Sequence, residues 1–407
     1  MSKSLAEKKK LMAQMMGKIN DKVGKSVIGF ASDPAIKEKM TIKWIETPSL
    51  RINEITGGGI PKGKISIVTG LEDSGKTSYL LETIGLNMKK NPDFMAIWLE
   101  SEESLSLEAC KMFGIDEERF VVIHLEKDGA AEVALDRLEA MLDSGVFDMA
   151  VINSLKCLTP STEFEANMGQ QTIGLQARMF GKLMRKIVAL IAEHDCALVM
   201  TNHLSTQIGV MHGDPMTMTG GLAIRFASML TLDFRKKSVL DGDPVSKDEC
   251  MKIGVGVKKN HCKVDRMPYL RTDVFVKYGV GTERSVEIIE LAEKCGILTK
   301  KGSWYREYSG EFDSKGNPLE RILEDGTKAA WNGMKNAREY VVSHPDYFDY
   351  LVAKVTNFGN IDVETMSEEE IAKIEKENQF EQQAAAEMGI DDILEEPDTT
   401  TKSKKKK

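Results

Sequence analysis

A glycine-rich octapeptide, GLEDSGKT at residues 70–77, is the feature of this 407-residue chain that most restricts its fold. It matches the pattern G-x-x-x-x-G-K-[ST], follows the β-rich run KISIVT and precedes an apolar helical pattern that starts at Ser78. In that context, backbone N–H groups of the turn and of the helix N-terminus surround a phosphate group. The motif therefore predicts a strand that leads directly into a helix, with a nucleoside triphosphate site between them.

The residues of this motif have separate predicted roles. Lys76 is expected to reach the β- and γ-phosphates of ATP, and the Thr77 hydroxyl is expected to ligate Mg²⁺. The predicted ATP site also includes the remaining polar and glycine residues of the motif and the residue after it: Gly70, Glu72, Asp73, Ser74, Gly75 and Ser78.

Short β-rich runs alternate with helical stretches from residue 64 to about residue 278. The predicted strands are KISIVTG, MAIWLE, RFVVIHL, DMAVIN, CALVMTN and MLTLDF, and the helices between them include SYLLETIGLNMKK and GLQARMFGKLMRKIVALIAEHD. This alternation predicts an α/β protein with a mainly parallel sheet that is covered by helices on both faces. Ligands collect at the carboxyl ends of the strands in such sheets.

Acidic side chains follow the predicted strand MAIWLE. Glu102 lies two residues past Glu100, so both carboxylates share one side of an extended run. A carboxylate near the γ-phosphate can orient and deprotonate an attacking water. The string ESEE alone is typical of a solvated acidic loop, but the phosphate motif one strand earlier favours the catalytic interpretation.

Two later strands also end in candidate residues. DMAVIN ends at Asn153, where a P-loop enzyme normally carries an aspartate that holds Mg²⁺ through water. Asn153 can hydrogen-bond a metal-bound water but supplies no charge. CALVMTN is followed by His203, which is placed to contact the γ-phosphate and report its presence. Without the other strand ends, a loop-edge histidine with satisfied hydrogen bonds is the better interpretation of His203.

The chain divides into four predicted regions, which are an N-terminal helix with a linker (1–35), an ATPase core (36–283), a small α+β unit (284–360) and a tail (361–407). The helix, from residue 4 to about residue 25, has apolar residues at helical spacing. It either packs on its own core or docks on a neighbouring subunit. The tail is acidic and then lysine-rich, a composition typical of disorder.

The overall composition indicates in which cellular compartment the protein is expected and how it could bind a nucleic acid. A net charge of −8 argues against nucleic-acid binding by bulk charge, so any such site needs a local basic patch, backbone amides or inserted side chains. The six cysteines contain no CxxC pair, which indicates neither a zinc ribbon nor a disulfide framework. No signal or membrane-spanning segment is evident, and the expected location is the cytoplasm.

Four longer segments resemble the RecA recombinases of bacteria and phages: LRINEITGGGIPKGKISIVTGLEDSGKT, NSLKCLTPSTEFEANMGQQTIGLQARM, IGVMHGDPMTMTGGLAIRF and GILTKKGSWY. The resemblance covers about four-fifths of the chain. It implies a RecA-type P-loop ATPase core with a mainly parallel twisted sheet, an N-terminal helix and a small α+β C-terminal domain. It also implies a DNA-dependent ATPase that uses ATP and Mg²⁺, forms a helical filament on single-stranded DNA and pairs it with homologous double-stranded DNA. Single-strand-binding and loader proteins are further partners that this resemblance implies.

The resemblance assigns roles to individual residues of the nucleotide site. Glu102 matches the water-activating glutamate, and Lys76 and His203 complete the catalytic set. His203 matches the position that senses the γ-phosphate and relays its presence to the DNA-binding loops, where bacterial members carry glutamine. Tyr278 matches a tyrosine that stacks on adenine, and Lys259 matches a lysine that reaches the ATP of a neighbouring subunit.

Two segments resemble the family's DNA-binding loops. Residues 163–174 match the first loop and residues 204–221 match the second. Apolar side chains in these loops insert between base triplets, while arginines and backbone amides contact phosphates. The matching residues are Ile173, Gly174, Arg178, Arg185, Ile208, Gly220, Gly221 and Arg225.

The chain departs from the family at several of these positions. Asn153 stands in place of an aspartate, and we hypothesise that Glu100 supplies the missing carboxylate to Mg²⁺ from the adjacent strand. His261 replaces a second lysine of the subunit interface, and Ser205 replaces a DNA-contacting arginine. Residues near the adenine also differ, which favours loose base specificity: Ser106 and Ala109 stand in place of an aspartate and a tyrosine.

Two other functions share part of this pattern. A RecA-fold hexameric motor, such as a ring helicase, also carries the phosphate motif and the glutamate, although the N-terminal helix and both loop segments argue against it. An ATP-gated DNA-binding mediator would carry the same loops and hydrolyse ATP slowly because of Asn153. Steady-state ATP turnover with and without DNA separates these alternatives.

Overall fold

The computed structural model describes residues 3–24, 28–125, 131–164, 174–206, 216–218, 220–262, 270–314 and 316–359. The chain begins with helix α1 (Leu5–Val23), whose first turn is closed by a reciprocal pair of hydrogen bonds between Ser4 and Glu7. Gly24 adopts a left-handed conformation with φ of 72° and ends the helix. The predicted N-terminal helix is confirmed.

The apolar face of α1 lies largely in solvent. Met16 is buried, but six other apolar residues of this helix are exposed: Leu5, Leu11, Met12, Met15, Ile19 and Val23. The interpretation in which α1 packs on its own core is therefore disfavoured. Within the described ranges, no helix combines the length and the apolar character needed to cross a membrane.

A connecting segment leads from α1 to the core. Its elements are α2 (Pro34–Met40), β1 (Trp44–Ile45), α3 (Leu50–Thr56) and β2 (Ile60–Pro61). Strands β1 and β2 form a small antiparallel pair. The Ser49 side chain accepts a hydrogen bond from the N–H of Ile52 and thereby caps α3.

The core is one large sheet flanked by helices. Its strands are β3 (Ile65–Gly70), β4 (Ala96–Glu100), β5 (Phe120–His124), β6 (Met149–Asn153), β7 (Ala197–Thr206), β8 (Met216–Met218), β9 (Ser228–Lys237), β10 (Cys250–Asn260), β11 (Arg271–Lys277) and β12 (Gly281–Thr282). The helices of the core are α4 (Lys76–Lys90), α5 (Leu107–Met112), α6 (Ala131–Asp143), α7 (Ser161–Phe164), α8 (Leu175–Glu193) and α9 (Gly221–Ala227).

The strand order is β12-β11-β10-β9-β3-β7-β6-β4-β5, and β8 pairs with β7 outside this path. Strands β9, β3, β7, β6, β4 and β5 run parallel, and they correspond to the six predicted strands. Strands β10, β11 and β12 extend the sheet antiparallel. The predicted α/β fold with a mainly parallel sheet is confirmed.

Both faces of the parallel sheet are buried, as the continuous apolar runs of its strands predict. Along β4, Trp98 belongs to the core cluster that includes α4, whereas Ile97 and Leu99 belong to the cluster that includes α6 and α8. Burial of each such side chain contributes about 1.5–3 kcal/mol. The helices on the two faces therefore hold the strand ends, and the residues that follow them, in a fixed relative position.

Close packing of α4 on the segment after α5 requires a glycine at position 85. A Cβ atom at Gly85 would lie 1.9 Å from the carbonyl oxygen of Phe113. We expect Gly85→Ala to lower the free energy of unfolding by about 3 kcal/mol, because backbone must move to admit the methyl group. Urea unfolding followed by circular dichroism measures the change.

Gly181 provides the matched control for Gly85, because it also lies within a helix of the core. A Cβ at Gly181 would meet its nearest neighbour, Arg185, at 3.7 Å, which is an ordinary contact. Gly181→Ala should leave stability unchanged or raise it by up to about 1 kcal/mol through helix propensity. Equal unfolding curves for the two variants would contradict the packing argument.

A small α+β unit follows the core. Its helices are α10 (Arg284–Lys294), α11 (Gly333–Ser343) and α12 (Pro345–Gly359), and its strands are β13 (Thr299–Lys301), β14 (Trp304–Arg306), β15 (Tyr308–Phe312), β16 (Pro318–Glu320) and β17 (Ala330–Asn332). Buried Glu287 of α10 accepts hydrogen bonds from the Ser49 hydroxyl and the Leu50 N–H, each at 2.7 Å, and so ties this unit to the start of α3. The predicted tail, residues 361–407, lies outside the described residues.

Candidate nucleotide-binding site

The phosphate motif forms a turn between β3 and α4. Strand β3 ends at Gly70, and α4 begins at Lys76, slightly earlier than the predicted start at Ser78. Gly75, which immediately precedes the helix, has a left-handed φ of 83°, and a Cβ at this position would lie 2.6 Å from Cδ1 of Ile253 in β10. The turn therefore needs a glycine both for its backbone conformation and for its contact with the sheet.

The Lys76 side chain folds over this turn. Its Nζ donates hydrogen bonds to the carbonyl oxygens of Leu71, at 2.7 Å, and Gly70, at 3.2 Å. Burial lowers the pKa of Lys76, and the carboxylate of Glu102 is the largest of the charges that raise it. The ammonium group thus lies at the mouth of the loop, where a phosphate oxygen is a stronger acceptor than a carbonyl.

The remaining residues of the motif differ in exposure. Glu72, Asp73 and Ser78 are exposed, whereas Ser74 is buried and its hydroxyl donates to the Leu71 carbonyl at 2.8 Å. Thr77 is half-buried, and its hydroxyl has no hydrogen-bond partner in the described parts of the chain. This oxygen is available to a hard cation such as Mg²⁺, so the motif fits the predicted metal.

Three strand ends bring Glu102, His203 and Ser154 together. Oε1 of Glu102, just after β4, lies 2.7 Å from Nε2 of His203 in β7. The Ser154 hydroxyl, just after β6, donates to the same oxygen. The side chains of Glu102 and His203 are only 20% and 15% exposed. The residues predicted as base and sensor are thus in direct contact.

Ser154 is a site residue to which the sequence analysis assigned no role, although it lies with Asn153 at the end of the same predicted strand. Its N–H donates to the Ser101 hydroxyl at 2.7 Å, and that hydroxyl donates to the Ser154 carbonyl at 2.8 Å. These bonds hold the Ser154 side chain beside Glu102. Its position one residue past the end of a parallel strand was the signal available in the sequence.

Glu100 is not placed as we hypothesised. Its carboxylate is buried and accepts hydrogen bonds from the Trp98 indole at 2.7 Å and from the Glu102 N–H at 2.8 Å. Further donors are Ser104, through its N–H at 3.2 Å and its hydroxyl at 3.4 Å, and Asn153 at 3.4 Å. Because both oxygens are already engaged, the geometry argues against Glu100 as a replacement ligand for Mg²⁺.

This carboxylate also explains how the chain accommodates an amide at position 153. The Asn153 Nδ2 donates to Glu100 and, at 3.2 Å, to the Ser104 hydroxyl, while its Oδ1 accepts from the Thr201 hydroxyl at 2.8 Å. Asn153 is fully buried. A carboxylate at the same position would lose both donations and would face Glu100 at close range.

We expect Asn153→Asp to destabilise the protein by about 2 kcal/mol or more in the absence of Mg²⁺, because it buries two carboxylates side by side. If position 153 lies in the metal shell, the added charge should tighten the Mg²⁺ dependence of ATP turnover. Thermal unfolding with and without Mg²⁺ and a Mg²⁺ titration of turnover measure the two effects.

Asn87→Asp is a suitable control for this variant. The Asn87 amide donates to the carbonyls of Glu46 and Thr83, each at 2.8 Å, so this substitution also removes two donations. It should lower stability without changing the Mg²⁺ dependence. If Asn153→Asp leaves that dependence unchanged as well, residue 153 is not in the metal shell.

Most of the predicted DNA-binding residues surround the packed helices α8 and α9. Gly174 and Gly220 precede these helices in left-handed conformations, and Arg178, Arg185 and Arg225 are exposed. A Cβ at Gly221 would lie 3.0 Å from the Ala177 Cβ, so α9 crosses α8 closely. This crossing places the two predicted loop ends side by side. The predicted inserting residues Ile173 and Ile208 lie outside the described residues.

The two ends of the second predicted DNA-binding loop form a short β-ribbon, which the sequence did not predict. Strand β7 continues past His203 to Thr206 and pairs antiparallel with β8, with Leu204 opposite Met218. The pairing joins residues far apart along the chain, and the local pattern of glycine, threonine and methionine did not predict it. His203 therefore lies in the strand that forms the stem of this segment.

Tyr278 and Lys259 lie at opposite ends of the antiparallel strands. Tyr278 follows β11, and its side chain is 59% exposed. Lys259 of β10 pairs with Thr231 of β9, and Thr231 in turn pairs with Ile67 of β3. Ile67 lies in the middle of β3, whereas the phosphate loop follows Gly70 at its end. The Lys259 Nζ donates to the Arg225 carbonyl at 2.8 Å, and burial followed by the charge of Arg225 lowers its pKa. Lys259 thus lies away from the phosphate loop of its own chain.

The fold and the site define a P-loop protein, with a phosphate loop on the central parallel strand and polar residues at the ends of its neighbours. The family model for the RecA N-terminal domain matches residues 10–283. This match spans more than half of the chain, and the protein therefore belongs to the RecA family.

Similar proteins from several bacteria extend this result over the chain. Protein RecA of Aquifex aeolicus is 31% identical over 356 residues, which cover 87% of this chain and 94% of that protein. Protein RecA of Paracoccus denitrificans is 30% identical over 363 residues, covering 88% and 93%. Protein RecA of Teredinibacter turnerae is 33% identical over 323 residues, covering 78% and 90%. The similarity therefore reaches beyond the matched domain.

Proposed function

We propose that this protein is an ATP-dependent DNA recombinase. It forms a helical filament on single-stranded DNA, hydrolyses ATP in a DNA-stimulated reaction and promotes pairing and strand exchange with homologous double-stranded DNA during recombination and repair. Single-strand-binding and loader proteins are its expected partners. Membership of the RecA family, together with relatives named RecA that match across nearly their whole length, supports this proposal.

The contact between Glu102 and His203 is the observation that most strongly supports the proposal. Glu102 is the candidate base, and His203 belongs to the strand that continues into the β-ribbon of the second DNA-binding segment. A shift of that ribbon on DNA binding would therefore move the hydrogen-bond partner of the base. This arrangement would couple DNA binding to ATP hydrolysis, because adjacent residues of one strand contact the base and begin the ribbon.

The chemistry of hydrolysis follows from the positions of the side chains. Lys76 binds and orients the β- and γ-phosphates at the mouth of the loop, and Glu102 orients the attacking water and accepts its proton. The Ser154 and His203 contacts hold the Glu102 carboxylate in place. The Thr77 hydroxyl would hold Mg²⁺, and Asn153 would contact it through a water; the ion would supply neutralisation of the phosphate charge.

Two features support assembly into a filament. The exposed apolar face of α1 offers a docking surface for a neighbouring subunit. Lys259 lies away from the phosphate loop of its own chain, which suits a residue that contacts the ATP of a neighbour. An ATP site shared between subunits makes filament geometry depend on the bound nucleotide.

DNA binding requires no large positive net charge. The exposed arginines Arg178, Arg185 and Arg225 and the glycine amides at the starts of α8 and α9 supply phosphate contacts. Apolar residues of the two loops, including Ile173 and Ile208, supply contacts to the bases. Such a set binds DNA without regard to its sequence, as a homology search demands.

ATP turnover with and without single-stranded DNA, together with negative-stain images of the same samples, tests the proposal. We expect DNA to stimulate turnover and the images to contain extended filaments. Closed rings would favour a hexameric motor. Turnover that is slow and indifferent to DNA would favour an ATP-gated mediator, to which the neutral Asn153 would then contribute.

A further inference from the structure

The hairpin that carries Tyr278 is tied to the phosphate-binding helix by one carboxylate, Glu82. Both carboxylate oxygens of Glu82, in α4, face Thr282 in β12. The Thr282 N–H lies 2.9 Å from Oε1 and 3.1 Å from Oε2, and the Thr282 hydroxyl donates to Oε2 at 2.8 Å. These residues are far apart in sequence, so the contact fixes the position of the hairpin relative to α4.

Two further features indicate that this contact is specific. Gly281 has φ of 123°, and a Cβ there would lie 2.6 Å from Oε1 of Glu82, so the carboxylate approaches backbone that no side chain shields. Burial raises the pKa of Glu82, while the hydrogen bonds from Thr282 and the charge of Arg284 lower it. Glu82 is half-buried. A carboxylate that is partly removed from water is costly unless it is paired, and here its hydrogen bonds are to the hairpin.

Geometry links both ends of this contact to the nucleotide site. Glu82 lies six residues after Lys76 in the same helix, which corresponds to about 9 Å along its axis. Tyr278 lies in the turn between Lys277 of β11 and Gly281 of β12, which are paired, and its ring is exposed. The sheet pairing of β11 with β10 and the hydrogen bond from the Tyr278 N–H to the Glu249 carbonyl, at 3.0 Å, hold one side of this turn. Glu82 adds a direct contact between the turn and α4.

We propose that Glu82 is a positioning residue for nucleotide binding. It holds the Tyr278 hairpin against α4, so that the base and the phosphates of one nucleotide meet their contacts at a fixed separation. The inference rests on the proposed function, in which Tyr278 stacks on the base and Lys76 holds the phosphates.

The test compares ATP with inorganic tripolyphosphate, which has phosphates but no base, by isothermal titration calorimetry in the presence of Mg²⁺. Glu82→Gln keeps the shape of the side chain but places an NH₂ group against a donor of Thr282. We expect it to weaken ATP binding about fivefold to tenfold, which is about 1.0–1.4 kcal/mol, and to leave tripolyphosphate binding unchanged. Thr282→Val, which removes the hydroxyl donor and keeps the N–H, should give a smaller loss.

Glu118→Gln is the matched control, since Glu118 is an exposed carboxylate of the same core. Tyr278→Ala is the second test variant, and it should weaken ATP binding at least as much as Glu82→Gln does. In the Tyr278→Ala background, Glu82→Gln should have no further effect, because the hairpin then carries no ring to position.

The outcomes separate the inference from the proposed function. Equal weakening of ATP and tripolyphosphate by Glu82→Gln would overturn the inference, because it would indicate general damage to the phosphate loop. Unchanged ATP binding in Glu82→Gln, with weaker binding in Tyr278→Ala, would also overturn it. If Tyr278→Ala binds ATP normally, the base contact of the proposed function fails and the inference falls with it.

Discussion

Replacing Lys76 with alanine is expected to abolish nucleotide-dependent binding to single-stranded DNA and to lower ATP affinity by about 100-fold. The Lys76 ammonium lies at the mouth of the phosphate loop, 2.7 Å from the Leu71 carbonyl, and the residue as a whole is 6% exposed. Charge-assisted hydrogen bonds from a buried cation to phosphate are strong, and two of them account for such a factor. Fluorescence anisotropy of a labelled oligonucleotide with and without ATP measures the loss of DNA binding.

Lys89→Ala is the control for this variant, because Lys89 is exposed in the last turn of the same helix. Alanine is the best helix former, so both variants should keep α4 intact. Circular dichroism and thermal unfolding verify that. If Lys76→Ala binds DNA in an ATP-dependent manner like the parent protein, the proposed coupling of nucleotide to DNA is wrong.

Replacing Glu102 with glutamine is expected to reduce ATP turnover at least about 100-fold while preserving ATP-dependent DNA binding. The amide keeps the shape of the side chain and can still bond to Ser154 and His203, but it cannot take a proton from water. Loss of a general base costs about 10²–10⁴ in rate. Steady-state phosphate release and oligonucleotide binding, measured on the same preparation, test both parts of the prediction.

The neighbouring Glu103 provides the control for Glu102. Its side chain is exposed, and Glu103→Gln makes the same chemical change one residue away. This variant should turn over ATP at the normal rate. Normal turnover by Glu102→Gln would remove Glu102 from the role of base and would leave its contact with His203 as a structural one.

The two variants differ because they act at different points of the reaction. In the proposed function, Lys76 contacts phosphates that are present in bound ATP, so its loss is expected to weaken ATP binding in the ground state and the DNA binding that depends on it. In the proposed function, Glu102 acts on the attacking water, so its loss is expected to raise the barrier to hydrolysis without preventing ATP-dependent DNA binding. A filament that assembles but does not hydrolyse ATP is the expected state of Glu102→Gln.

The residue pattern was sufficient to predict the elements that depend on local interactions. The turn at residues 70–77, the six parallel strands and α1 were all predicted and are present. Each follows from chemistry within a short stretch of chain, such as glycine before a helix, a capping box or an apolar run that fits a strand buried on both faces. The family resemblance rests on such short stretches as well.

Contacts between residues of different strands could not be predicted from the sequence in this way. The sequence suggested that Glu100 was free to ligate a metal, but the fold surrounds it with the Trp98 indole and the amides of Glu102 and Asn153. It likewise did not indicate that Ser154 and His203 share one oxygen of Glu102. These distances depend on the order β7-β6-β4, which sets which strand ends become neighbours.

The tie between Glu82 and Thr282 has the same origin. A single glutamate in an otherwise amphipathic helix carries no local sign of its partner, which lies 200 residues further along the chain. Residue types and spacings determine which helices and strands form, because those interactions lie within a few residues of each other. The partner of each buried polar group depends on how those elements pack, because burial removes water and leaves only the neighbours that the fold supplies.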